Sequence, residues 1–138
     1  MKVQPYILFN GQARNAIAFS REALGAEVVQ LMPMQDGPPG FDIPEERKDW
    51  IMHCALELGD FKIMLSDDFM ANAEPMAGCN VMLNVPTAAE GKAIFDALSA
   101  GGEVRMPYDA TFWSAGFGAF SDKFDLRWMV GCDEKPAN

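Results

Sequence analysis

The chain has little that could hold a metal or a nucleic acid. There is one histidine, His53, in 138 residues. Catalytic zinc and non-heme iron sites normally use about two or three, so a histidine-rich metal centre is arithmetically impossible. Three cysteines, Cys54, Cys79 and Cys132, form no CxxC pair. Each sits in or beside an apolar run, which predicts buried thiols in a reducing compartment. A Cys–His nucleophile is disfavoured, because His53 and Cys54 are neighbours on a predicted strand and point to opposite faces. No apolar run approaches the roughly 18 residues of a membrane span. The opening MKVQPYILFNG meets Asn10-Gly11 too early for a signal peptide, so a cytoplasmic location is expected. Basic residues are scarce as well, 11 against 20 acidic, for a net charge of -9. That balance disfavours nucleic acid and anionic membranes as partners.

What is present is a hydrophobic fraction of 49% with 22% charged residues, ordinary for a globular domain. Gln4–Asn10 reads as a strand ended by Asn10-Gly11. Pro5 near its start suits a first or edge position. Ala13–Leu24 has helical periodicity, with Ala13, Ala16, Ile17, Phe19, Ala23 and Leu24 as the inner face and Gly25 as the stop. Glu27–Met34 is a second strand. A long loop over 35–50 carries four glycines and prolines between Gly37 and Gly40, then Pro44 and the charged run Glu45–Asp49. Ile51–Leu58, Gly59-Asp60 and Phe61–Ser66 form a hairpin, and Asp67–Gly78 is a connector. Asn80–Val85 opens a second round. Thr87 with Glu90 three residues on is a capping-box pattern for a helix over Ala88–Ser99, with Ala89, Ala93, Ile94, Ala97 and Leu98 expected inside. Gly101-Gly102 ends it. Glu103–Met106 is a strand, Pro107–Gly116 a loop, and Phe117–Ser121 and Leu126–Gly131 flank the turn Asp122–Asp125.

The two halves repeat the same order: strand, helix, glycine, strand, loop, hairpin. Leu24-Gly25-Ala26-Glu27-Val28 answers Ala100-Gly101-Gly102-Glu103-Val104 at an offset of 76 (103 − 27), and Gln4, Ile7 and Phe19 fall on Asn80, Leu83 and Phe95 at the same offset. Met64 meets Met129 at the shorter offset of 65 (129 − 64). Such periodicity marks duplicated units. The expected architecture is α+β: two tandem βαβββ modules, about 1–76 and 77–138, in one domain whose curved sheets enclose a partly apolar cup.

Duplicated βαβββ units resemble the vicinal oxygen chelate (glyoxalase/bleomycin resistance protein/dioxygenase) superfamily, and within it the PhnB-like branch. The resemblance rests on Gln4-Pro5-Tyr6 with Phe9-Asn10-Gly11, Ala23–Val28, Ile51-Met52-His53 with Gly59-Asp60, Ser66-Asp67, Met106-Pro107, Thr111-Phe112-Trp113, Phe117-Gly118, Ser121–Phe124 and Arg127–Val130. Two departures are visible. Ser20 stands where the branch commonly has Tyr, and Asp125 where it commonly has Gly. Metal-dependent relatives chelate a divalent ion with His and Glu from four strands. The matching positions here are Pro5, Met64, Asn80 and Met129. Proline has no ligating side chain and methionine is a soft ligand, so the resemblance implies no metal and no cofactor. A methyltransferase label common in the branch has no support either, since no glycine-rich strand-to-helix turn of the Rossmann kind is present.

Two function classes follow. One is a small-molecule binding protein, a homodimer by resemblance, with Trp113, Phe112, Met64, Asn80, Met129 and Arg127 facing an aromatic or cationic ligand. The other is an enzyme of glyoxalase or dioxygenase type, or a metal-independent isomerase or lyase using His53 as base. A lone histidine is more often structural, bonded to backbone or a carboxylate. Asp67-Asp68 read first as turn caps. Arg105 and Arg127 read first as paired with Glu27, Glu57 or Glu103, and second as binders of an anionic substrate.

Overall fold

The computed structural model describes every residue from Met1 to Asn138. It divides into two compact units, Met1–Glu74 and Pro75–Asn138. The first unit holds strand β1 (Tyr6–Phe9), helix α1 (Ala13–Leu24), β2 (Glu27–Pro33), β3 (Ile51–Leu58) and β4 (Phe61–Asp67). Its sheet has the order β1-β4-β3-β2. The second holds β5 (Val81–Val85), helix α2 (Ala88–Ser99), β6 (Glu103–Asp109), β7 (Phe117–Ser121) and β8 (Arg127–Cys132), in the equivalent order β5-β8-β7-β6. In both sheets the first strand joins parallel to the last, and the other pairings are antiparallel. The 35–50 segment is not wholly irregular: Met34–Asp36 and Glu45–Arg47 make single 3-10 turns.

Alternation along the strands separates two faces. In the first unit Ile7, Phe9, Cys54, Leu56, Ile63 and Leu65 are buried on the helix side, beneath Ala13, Ala16 and Ile17 of α1. Ser20 is also buried there, and its hydroxyl has no partner. The helix has no side-chain cap at Gln12. Its N-terminus is held from β4 instead. The buried Asp67 carboxylate accepts from the N–H of Gly11 (2.7 Å) and Ala13 (3.1 Å) through one oxygen, and from the N–H of Ile51 (2.9 Å) through the other. Asp68 does cap the following turn, accepting from the N–H of Met70 and Asn72.

In the second unit Trp128, Val130, Cys132 and Phe120 are buried beneath Phe95 and Leu98 of α2. Phe95 meets Phe120 edge to face at 5.0 Å. The inner face of α2 is therefore Gly91, Phe95 and Leu98, and the expected Ala89, Ala93 and Ala97 stripe points to solvent. The Phe95 ring has far more apolar area to bury than three methyl groups, so it sets the rotation of the helix. The capping box is formed: Thr87 Oγ1 accepts from the Glu90 N–H and Glu90 accepts from the Thr87 N–H. Past the helix, Gly101 takes a left-handed φ of 76°, and a Cβ on Gly102 would stand 2.1 Å from the Ser121 carbonyl. The first glycine makes the turn and the second admits β7.

Cys54 and Cys132 are buried, but Cys79 is exposed, against expectation. It lies in the short link before β5, where no sheet face covers it. Edge strands carry prolines: Pro33 closes β2, Pro107 lies within β6, and Pro5 precedes β1.

Candidate functional site

The face of each sheet turned away from its helix carries the candidate residues. Strand register places Tyr6, Met64, Ala55 and Gln30 side by side across the first sheet. The equivalent row of the second sheet is Met82, Met129, Ala119 and Met106. Tyr6, Met82 and Met106 are exposed, while Met64 and Met129 are half-buried. Tyr6 thus stands beside Met64 in the first sheet, and Met82 beside Met129 in the second. Pro5 lies one residue off that face and Asn80 one residue before β5.

His53 lies one step along β3 from Ala55's row, paired with Met32. It is half-buried, and its Nδ1 is 3.0 Å from the Tyr6 hydroxyl. Its partner is a phenol, neither backbone nor carboxylate, so no carboxylate–imidazole dyad exists. Cys54, adjacent in sequence, is fully buried on the other face, and burial pushes its thiol up to about 11. It is a packed thiol, not a thiolate nucleophile.

In the second unit the loop before β7 and the first residue of β7 present three rings in edge contact. Phe112 and Trp113 are 4.8 Å apart, and Trp113 and Phe117 5.5 Å. Phe112 is 91% exposed and Trp113 46%, so neither belongs to the core, whereas Trp128 is buried. The loop is held from beneath. Ser114 Oγ is buried, 2.9 Å from the carbonyls of both Gly116 and Cys132, and the Thr111 N–H donates to the Ser114 carbonyl at 2.9 Å. Tyr108 donates to the Ala88 carbonyl at 3.1 Å, close against Gly116, and burial together with Cys132 pushes its phenol up to about 12. Rings that would cost free energy in water are thus fixed on the surface by a buried polar scaffold.

At the start of the same sheet, Arg105 sits on a bulge: Val104 pairs with Phe120 and Met106 with Ala119, leaving Arg105 as the extra residue. Its guanidinium donates to Asn80 Oδ1 (3.0 Å), to the Phe120 carbonyl (3.0 Å) and to Ser121 Oγ. Arg127 is opposite Ser121, and its Nε is buried without a partner. The expected pairing of these arginines with Glu27, Glu57 or Glu103 is not found. The ion pairs are Lys48–Glu45, Lys62–Glu57 and Lys92–Asp96. Glu57 is taken by the lysine directly across the hairpin. Desolvation and then the neighbouring Arg127 lower the Arg105 guanidinium, partly offset by Glu103. Sequence reasoning singled out neither Tyr6 nor Met82, and gave Arg105 a pairing role first and anion binding second. The bulge that aims Arg105 has no local sequence signal.

A family model, the Glyoxalase/Bleomycin resistance protein/Dioxygenase superfamily, matches residues 2–130. The chain belongs to this superfamily. Among curated proteins, Protein YjdN of Escherichia coli (strain K12) is 33% identical over 141 aligned residues, covering 94% of each chain. The crystal structure of protein PA1353 from Pseudomonas aeruginosa is 40% identical with a TM-score of 0.88, covering 98% of this chain and 99% of that one. A Bacillus cereus PhnB protein, described as a putative 3-demethylubiquinone-9 3-methyltransferase, shares the fold at a TM-score of 0.78 and 21% identity, covering 96% and 99%. The chain is thus a YjdN-like glyoxalase-superfamily protein with the α+β fold of two βαβββ units.

The superfamily's metal positions do not fit a hard divalent ion here. The Pro5 carbonyl accepts from the Met64 N–H, the Asn80 oxygen is taken by Arg105, and Met64 and Met129 offer soft thioethers. No group of three or more His, Cys, Asp or Glu side chains is arranged to hold an ion. No helix is long and apolar enough to cross a membrane.

Proposed function

We propose that the chain is a small-molecule binding protein whose ligand lies on the open sheet face beside the Phe112–Trp113–Phe117 rings. One observation carries this reading: an exposed edge-to-face ring cluster, anchored by buried Ser114, ends at Phe117, whose ring lies over Gly131 together with the Met82 methyl. Methionines adapt their shape to a guest, and rings supply contact area at small entropic cost. Met129, Asn80 and Arg127 belong to this proposed surface and Met64 to the equivalent face of the first sheet, in a cytoplasmic homodimer. The exposed apolar residues of the edge strands, Tyr6, Leu8 and Met82, favour a second copy as partner.

Fluorescence tests it. Among Trp50, Trp113 and Trp128, only Trp113 borders the proposed surface. A panel of aromatic compounds is expected to quench emission saturably, with the effect kept in Trp50→Phe and lost in Trp113→Ala. Quenching that survives Trp113→Ala, or none at all, sinks the proposal.

A second reading rests on the 3.0 Å contact between Tyr6 and His53. In the tautomer that carries its proton on Nε2, the imidazole accepts from the phenol at Nδ1, and that nitrogen can act as a base once the phenol moves aside. That supports a metal-independent isomerase or lyase. Turnover of a ketone or enol panel that disappears in His53→Gln supports it, and turnover unchanged in that variant removes it. The methyltransferase name of the Bacillus cereus protein is not carried over. A Rossmann-type methyltransferase uses a doubly wound parallel sheet, which neither β1-β4-β3-β2 nor β5-β8-β7-β6 provides.

A further inference from the structure

We propose that Arg105 and Arg127 form an oxyanion site on the open face of the second sheet, which takes the carboxylate or phosphate group of the ligand. This rests on the reading of that face as a ligand surface and names the chemistry of one end of the ligand.

The duplication supplies an internal control. The offsets that relate the two rows of the open faces also relate this locus to one in the first unit. Val29 lies on the bulge of β2 where Arg105 lies on that of β6, both between shifted registers. Lys62 corresponds to Arg127, and Glu57 to Ser121. In the first unit the single cation faces a carboxylate across the hairpin, and the two pair at 3.5 Å. In the second unit the carboxylate position is a serine, the bulge residue is a second arginine, and neither arginine joins an ion pair. Counting Glu27 and Glu103, which pair with Glu57 and Ser121 in the two rows, the same place in the fold carries an excess carboxylate in one copy and an excess guanidinium in the other.

Glu103 offsets only part of the repulsion between the two guanidinium groups, which leaves an excess positive charge for a counter-ion to balance. The scaffold nonetheless holds them. Asn80, Ser121 and the Phe120 carbonyl fix one guanidinium through three bonds and leave it with donors to spare. The buried Arg127 Nε is a donor lacking an acceptor, a cost normally removed by a ligand or solvent. Guanidinium forks match oxyanions in geometry, so a carboxylate or phosphate satisfies both groups at once. Desolvation first and the nearby Arg127 second lower the Arg105 guanidinium, with Glu103 pulling the other way. The remainder of such a ligand runs along Met129 and Ala119, on the same face of the adjoining row.

The test uses the full chain, labelled with 15N, titrated separately with sodium phosphate and sodium benzoate against sodium chloride at matched ionic strength. Saturable shifts of the arginine Nε–H signals and of the Ser121 and Arg127 amides are expected with at least one oxyanion and not with chloride. Arg127→Gln and Arg105→Gln are expected to weaken binding by about tenfold or more, and Lys62→Gln to leave it within about twofold. Tighter binding of phosphate assigns a phosphate-bearing ligand, and tighter binding of benzoate a carboxylate. Arg105 is exposed, so its variant folds and reads the site even where Arg127→Gln is unstable. No saturable shift with either oxyanion, or affinity unchanged in Arg105→Gln, overturns the proposal. That failure is separable from failure of the broader reading, because quenching at Trp113 by uncharged aromatics does not involve the arginines.

Discussion

Asp125 adopts a φ of 65°, the left-handed conformation that glycine takes without strain. The sequence shows it as a departure from the glycine common in this branch, and the structure shows the turn kept in its glycine shape around an aspartate. Asp125→Gly is expected to raise stability by about 1 kcal/mol in urea unfolding with an unchanged slope. Three residues earlier the buried Asp122 accepts from the N–H of Phe124 and Leu126 and from Trp128 Nε1. Burial raises its pKa, although those three donors pull the other way. A raised native pKa means that the folded chain holds a proton the unfolded chain has already lost. The contribution is complete below the ordinary carboxylate range and is lost as pH rises through the raised value. Denaturation midpoints of wild type and Asp122→Asn, compared between pH 4 and 7, are expected to show the wild type losing ground as pH rises. The opposite trend contradicts the account. The role of Asp122 is invisible in sequence because its ring partner, Trp128, meets it only when the hairpin closes.

At the level of elements, the helices Ala13–Leu24 and Ala88–Ser99 have the bounds read from periodicity, glycine stops and the capping box. Strand ends move by one to three residues, most at β6, which runs on through Pro107 to Asp109. The face of α2 was misread because alanine counts as apolar but has little to bury, and Phe95 outweighs it. The cap of α1 was also illegible, since Asp67 reaches it from 54 residues away in the chain. Asp67→Ala leaves three N–H groups without an acceptor, two of them in buried contacts, and is expected to cost about 3 kcal/mol. Asp68→Ala, whose bonds are exposed, is expected to cost less than about 1 kcal/mol. Equal losses in chemical denaturation count against the anchoring role.

Over the whole molecule the duplication was the most legible feature, because an offset of 76 residues survives in the chain itself. The strand register repeats it, with Tyr6 and Gln30 answering Met82 and Met106. The site was legible only in part. Trp113, Phe112 and Arg127 stand out as residue types, but the bulge and the unpaired state of the arginines depend on register, which one sequence does not encode locally. The donor set makes a further prediction. Zinc, nickel or manganese in excess is expected to leave the melting temperature unchanged within about 1 °C, since binding to the native state alone would raise it by mass action. A saturating rise with one equivalent of any of these ions reopens the metal question.

The prolines of the edge strands carry a last consequence. Pro33 and Pro107 offer no hydrogen to a passing chain, so a neighbouring molecule cannot zip its backbone along β2 or β6 without a gap in the ladder. Solutions crowded with this protein should therefore resist fibril growth by end-on recruitment, despite a composition in which nearly every second residue is greasy.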